Sequence, residues 1–139
     1  MTNYIHYGAD KFDPMSVSVN PFLLQQKPAG LWASPVDSDW SWKDWCECEG
    51  YHTESLKKSF TFALDDSAKV LHVYRLKDVE GYLEPPAYCG LNMEKLCDDY
   101  DAMELHMSEN YAELKHSFLF NCWDCDSIVV WNYDKIVVN

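Results

Sequence analysis

Asp126 stands directly ahead of Ser127-Ile128-Val129-Val130-Trp131, an apolar run rich in β-branched residues. A carboxylate at the mouth of a buried strand is an uncommon placement, because carboxylates resist burial unless partnered. Held there, it is equipped for electrostatic stabilisation of a developing positive charge and for general-base work. The plainer role is a turn cap that accepts backbone N–H bonds. Asp124, two residues earlier, is the rival carboxylate. Two other segments carry groups that suit a binding site. Tyr4-Ile5-His6-Tyr7-Gly8 places an imidazole on a short strand just ahead of a glycine, where backbone can approach a ligand closely. Gly30-Leu31-Trp32-Ala33-Ser34 supplies a flat indole for stacking and a hydroxyl. His6 and Trp32 also read as core residues, and Ser34 as the end of a strand before Pro35.

These groups must be positioned by an α+β framework. Short strands are expected at Tyr4–Gly8, Leu31–Ser34, Ser59–Leu64, Val70–Tyr74, Ala102–His106, Asp126–Trp131 and Lys135–Val138, from β-branched content, alternation and bounding turns. Trp42, Trp45 and Cys46 fall at i, i+3, i+4, so Ser38–Glu49 is expected to be a helix. Asp37, Ser38 or Asp39 would cap it and Gly50 would end it. Trp45 on that stripe reads as core more readily than as ligand-binding. Asn92–Tyr100 and Tyr111–Phe118 are the other expected helices. Asp10–Lys27 reads as a long loop with an edge strand near Ser16–Val19. Residues 77–86 read as loop.

Bulk composition narrows the classes. A chain of 139 residues favours one domain, 1–139, and 47% hydrophobic content is enough for a real core. No stretch approaches the roughly 18 apolar residues of a membrane span, and the N-terminus lacks the pattern of a signal peptide. A cytoplasmic protein is expected. The formal net charge of −12 disfavours general nucleic-acid binding and favours partners with a basic surface. The six cysteines have poor metal spacing, Cys46-x-Cys48 being tighter than usual, and sit among aromatics where thiols pack as small hydrophobes. Neither disulfides nor a metal is expected. There is no Gly-rich phosphate loop and no Gly-x-Ser-x-Gly elbow.

In order, the segments resemble a family. Tyr4–Gly8 resembles the first motif of the diphtheria-toxin-like and poly(ADP-ribose)-polymerase-like ADP-ribosyltransferases, a strand carrying His shortly before Gly. Gly30–Ser34 resembles their second, Gly-x-Tyr-Phe-Ala/Ser, after which a helix carries another aromatic, a place bracketed here by Trp42 and Trp45. Asp126–Trp131 resembles their third, Glu-Tyr-Ile-Val-Tyr, and Asp134-Lys135-Ile136 looks like the strand that follows. The chain is similar to minimal phage-encoded transferases, including an anti-CRISPR transferase.

The resemblance implies a split, mostly antiparallel sheet with flanking helices. It implies mono-ADP-ribosyl transfer from NAD to a macromolecular target, most naturally a protein, and a phage–host conflict role fits the chain's size. It implies that Asp126 stabilises the oxocarbenium-like transition state and that His6 orients the dinucleotide through a ribose hydroxyl. The nicotinamide would lie near Tyr7, Gly8, Trp32, Ser34 and Trp45. Replacing Asp126 by Asn is then expected to cut transfer while leaving folding nearly intact. The departures are specific. Trp32 replaces the usual Tyr, Asp126 is one methylene shorter than Glu, and Gly8 is two residues after His6. They motivate the alternative of a catalytically inactive protein of the same fold, blocking a basic partner through its acidic surface.

Overall fold

A computed structural model describes residues 2–14, 29–83 and 90–139. Seven strands form one sheet: β1 (Asn3–Tyr7), β2 (Leu31–Pro35), β3 (Ser59–Leu64), β4 (Val70–Val73), β5 (Ala102–Leu105), β6 (Ser127–Val130) and β7 (Ile136–Val138). Their spatial order is β4-β5-β6-β2-β1-β3-β7. All neighbours are antiparallel except β4 and β5, which are parallel. A parallel pair needs a crossover, and the chain between them contains α2 (Met93–Asp99). With α1 (Trp42–Glu49) and α3 (Tyr111–Lys115) this is an α+β architecture with a mostly antiparallel sheet.

Every expected strand in the described residues is present with ends shifted by a residue or so: β1 begins at Asn3, and β2 runs through Pro35, the residue expected to end it. The edge strand expected near Ser16–Val19 lies outside the described residues, as does Cys89. The helix expected from Ser38 begins instead after Ser41, whose hydroxyl accepts from the Asp44 N–H while the Asp44 carboxylate accepts from the Ser41 N–H. This reciprocal box caps the helix at Ser41 in place of Asp37, Ser38 or Asp39, and the Ser38 hydroxyl bonds Asp126 instead. Gly50 ends the helix in the left-handed conformation, as expected. The helix expected to reach Phe118 stops at Lys115. Residues 77–82, expected as loop, lie in a 3-10 helix, Leu76–Tyr82.

Pairing across the ladders fixes which side chains share a face. Ala33 pairs with Ile128, Ile128 with Glu104, and Glu104 with His72, so these four form a row on one face. Tyr4, Phe60, Phe62, Ala102 and Val130 pack with Ala33 and Ile128 in the core on that side. On the other face Val129, Met103 and Trp32 pack with Trp123, Phe120, Leu96, Leu105 and Leu114. Both faces are covered, so β5 and β6 are buried on both sides, and β6 reads in sequence as the apolar run Ile128-Val129-Val130 rather than alternation, while β5 is apolar except for Glu104.

Gly30 enters β2 at φ 154°, and a Cβ there would lie 2.4 Å from the Val130 carbonyl oxygen. Glycine is needed here because the backbones of β2 and β6 come too close for a side chain.

Candidate functional site

The sheet opens between β1 and β2. Their pairing covers Tyr4 with Pro35 and Ile5 with Ser34. Past that point β1 follows β3 as far as Tyr7 opposite Ser59, while Leu31, Trp32 and Ala33 follow β6. Into the opening comes His6, whose Nδ1 lies 2.6 Å from the Trp32 carbonyl oxygen. The carbonyl can only accept, so Nδ1 carries the proton, and in the neutral ring Nε2 is left as an acceptor.

A cleft of about 330 Å³ sits at this opening, and His6, Tyr7, Trp32, Ser34, Trp42 and Asp124 are among its lining residues. Its walls are chiefly aromatic. Trp32 and Trp123 meet edge-on with centroids 4.7 Å apart. Trp42 stacks on Trp45 at 5.1 Å. The Ser34 hydroxyl is buried and accepts from the Trp42 N–H at 3.0 Å, fixing the start of α1 against β2. Trp123 is almost fully buried, and its Nε1–H has no acceptor among the described residues.

Cys125 and Ser127 complete the floor. The Cys125 thiol is pushed up to about 11, first by burial, against the opposing effect of hydrogen bonds from Ser127 and Ser34. A thiol held protonated in this way is a poor nucleophile at neutral pH. Of residues 123, 125 and 127 only Ser127 is in a strand, and Asp124 between them lines the cleft as well, so no periodic signal in the sequence marks these residues.

Asp126 does not line this cleft. Its carboxylate is buried and accepts from Ser38 Oγ at 2.8 Å, Ser108 N at 2.7 Å and Ser108 Oγ at 2.7 Å. Its backbone N–H bonds the Trp40 carbonyl, and Trp40 Nε1 bonds the Asp124 carbonyl. The carboxylate thus ties the segment before α1 to the turn before α3 and to the mouth of β6, the anchoring role open to it from sequence. Asp124 is the carboxylate on the cleft, and it pairs with Lys115 at 3.3 Å.

The structure therefore brings together His6, Tyr7, Trp32 and Ser34. Gly8 is exposed at φ 112°, ending β1 beside the cleft residues, with its N–H on the Lys58 carbonyl. Trp45 faces a second hollow, lined with Trp40, Glu49, Ser108, Tyr111, Lys115 and Asp124. Sequence reasoning missed Trp123, Cys125 and Ser127 as lining residues. The five described cysteines, Cys46, Cys48, Cys97, Cys122 and Cys125, form no disulfide. No described helix is long and apolar enough to cross a membrane. No family model, no curated protein and no solved structure matches this chain.

Proposed function

We propose that the chain is a mono-ADP-ribosyltransferase that moves ADP-ribose from NAD to a macromolecular target, a protein with a basic surface. One observation carries this reading. The three motif segments, the first and last more than 110 positions apart, form the adjacent strands β6, β2 and β1, and His6, Tyr7, Trp32 and Ser34 meet at one cleft where β1 and β2 part.

In this reading the nicotinamide ring lies against the indoles of the cleft, where an offset or edge-on aromatic contact contributes roughly 0.5–1.5 kcal/mol beyond area burial. Nε2 of His6 accepts from a ribose hydroxyl because Nδ1 is committed to Trp32. Transfer breaks the bond from the nicotinamide nitrogen to ribose C1′, and nicotinamide leaves with the electron pair. A lone pair of the acceptor side chain then bonds C1′, and its proton goes to a carboxylate. That carboxylate also stabilises the positive charge developing on the ribose. Asp124 is the acidic residue on the cleft. Asp126 fills the role only by leaving Ser38 and Ser108.

The engagement of Asp126 with those two serines favours a second reading, the same domain as an inactive binder of a basic partner through its charge of −12. Labelled-NAD transfer to target lysate, with thermal shift in NAD alongside, separates the two. Transfer that is lost in Asp124→Asn supports the enzyme and assigns the carboxylate. Neither transfer nor NAD-dependent stabilisation in the wild type leaves the binder.

A further inference from the structure

A second cluster of chemically capable side chains lies on and beside β4 and β5, which β6 separates from β2 and β1. β4 and β5 pair in parallel with His72 opposite Glu104, and His106 follows two residues after Glu104. One donor atom from each of the three lies within 4.8 Å of the others, and no other such trio of His, Cys, Asp or Glu occurs among the described residues. We propose that His72, Glu104 and His106 form a binding site for a divalent transition-metal ion, with Zn²⁺ as the expected occupant.

The spacing fits. Nδ1 of His72 is 3.0 Å from Nε2 of His106. Glu104 Oε2 is 3.5 Å from His106 Nε2, and Oε1 is 3.9 Å from His72 Nδ1. Zinc bonds of about 2.0–2.1 Å in tetrahedral geometry put neighbouring donors about 3.3 Å apart. The two carboxylate distances are to different oxygens, and one donor from each residue lies within 4.8 Å of the others, so binding one ion takes a side-chain adjustment that draws a single oxygen and the two ring nitrogens together.

The groups behind the donors are those a metal site uses. His106 presents Nε2 to the trio and Nδ1 to Glu109, 3.5 Å away. A carboxylate on the far nitrogen fixes the tautomer and raises the basicity of the ligating one. The Tyr74 ring lies on the His106 ring, centroids 4.1 Å apart and nearly parallel, which holds the imidazole plane. The Tyr4 hydroxyl donates to Glu104 Oε1 at 2.5 Å and orients that carboxylate.

Charge gives an independent reason. Glu104 is 3% exposed, and its only ion-pair partners among the described residues are the two histidines. A divalent ion would bring positive charge to this buried carboxylate, which otherwise has the Tyr4 hydroxyl and the two rings beside it. Two imidazoles and one carboxylate suit zinc rather than magnesium or calcium, which prefer all-oxygen sets. Three protein ligands, with the His72 side chain 45% exposed, leave a fourth position for water or an exogenous ligand. The trio is on the face of Ala33 and Ile128, and none of its three residues lines the cleft.

The test uses the full chain, reduced and stripped of metal, titrated with ZnCl₂ by calorimetry and thermal shift. One ion is expected to bind and raise the melting temperature. Co²⁺ is expected to give visible d–d bands without a thiolate-to-cobalt charge-transfer band, which excludes the cysteines. His72→Ala with His106→Ala is expected to abolish both signals, and far-UV circular dichroism reports whether that variant is folded. Glu109→Ala, at an exposed side chain, is expected to weaken zinc binding roughly 10–100-fold with little change in metal-free stability. The proposal is overturned if zinc produces no binding or shift, if the double variant binds as the wild type does, or if the cobalt spectrum carries the thiolate band.

Discussion

Nδ1 of His6 donates to the carbonyl oxygen of Trp32 across the point where β1 and β2 separate. The bond closes a ladder position that the backbone of β1 no longer serves, and it fixes the imidazole tautomer at the cleft. His6→Ala removes the donor and leaves the carbonyl of a half-buried residue without it, so a stability loss of about 1 kcal/mol is expected in urea denaturation. His6→Asn offers an amide N–H to the same oxygen but nothing in place of Nε2. It is expected to recover much of the stability while losing NAD-dependent stabilisation. Equal NAD responses in wild type and both variants would remove His6 from the binding site.

Asp126→Asn distinguishes anchoring from catalysis. The motif resemblance alone implies that it leaves folding nearly intact, and the contacts of the carboxylate imply otherwise. Three donors converge on it, and an amide has one accepting oxygen in place of two. A loss of about 1–3 kcal/mol is expected. Ser108→Ala is expected to be non-additive with it in a double-mutant cycle, because both remove the same contact. Additive losses would show that the contact contributes little.

Gly30→Ala sets a Cβ against the Val130 carbonyl, with backbone rather than a flexible side chain in the way. The strain of a positive φ adds to the clash. A loss of at least about 1–3 kcal/mol is expected, read as a lower denaturation midpoint. Gly81→Ala, where a Cβ meets nothing within 4 Å, is the control and is expected to stay close to wild type.

Cys125 predicts an alkaline limit. Its folded value of about 11 is above the ordinary 9.0, so the folded state holds the thiol proton more tightly than the unfolded state does. The stabilisation is full below pH 9 and is lost as pH rises through 11, at a slope of about 1.4 kcal/mol for each pH unit between the two values. Tyr4, raised by burial and then by the Glu104 charge, changes stability in the same direction at higher pH. Denaturation midpoints measured across the alkaline range are expected to fall in the wild type and fall less in Cys125→Ala. Alkylation of native protein at neutral pH is expected to reach the exposed Cys48 and Cys122 well before Cys125.

The sequence by itself determined the elements. Strand alternation at Ser59–Leu64, the Gly50 stop, the stripe of Trp42, Trp45 and Cys46, and the α+β order all follow from local periodicity and capping chemistry, which act within a few residues. It also brought His6, Tyr7, Gly8, Trp32, Ser34, Trp45 and Asp126 forward as one candidate group, of which His6, Tyr7, Trp32 and Ser34 line the cleft. Only the tertiary structure decided what the carboxylates do. Asp124 and Asp126 differ by two positions, and their roles depend on Ser38, Ser108 and Lys115, which reach them from other segments of the chain. His72 and Glu104 meet only because β4 and β5 pair in parallel across a crossover. Strand register is set by burial of whole faces rather than by any local signal, so contacts that depend on it are not written in a stretch of sequence.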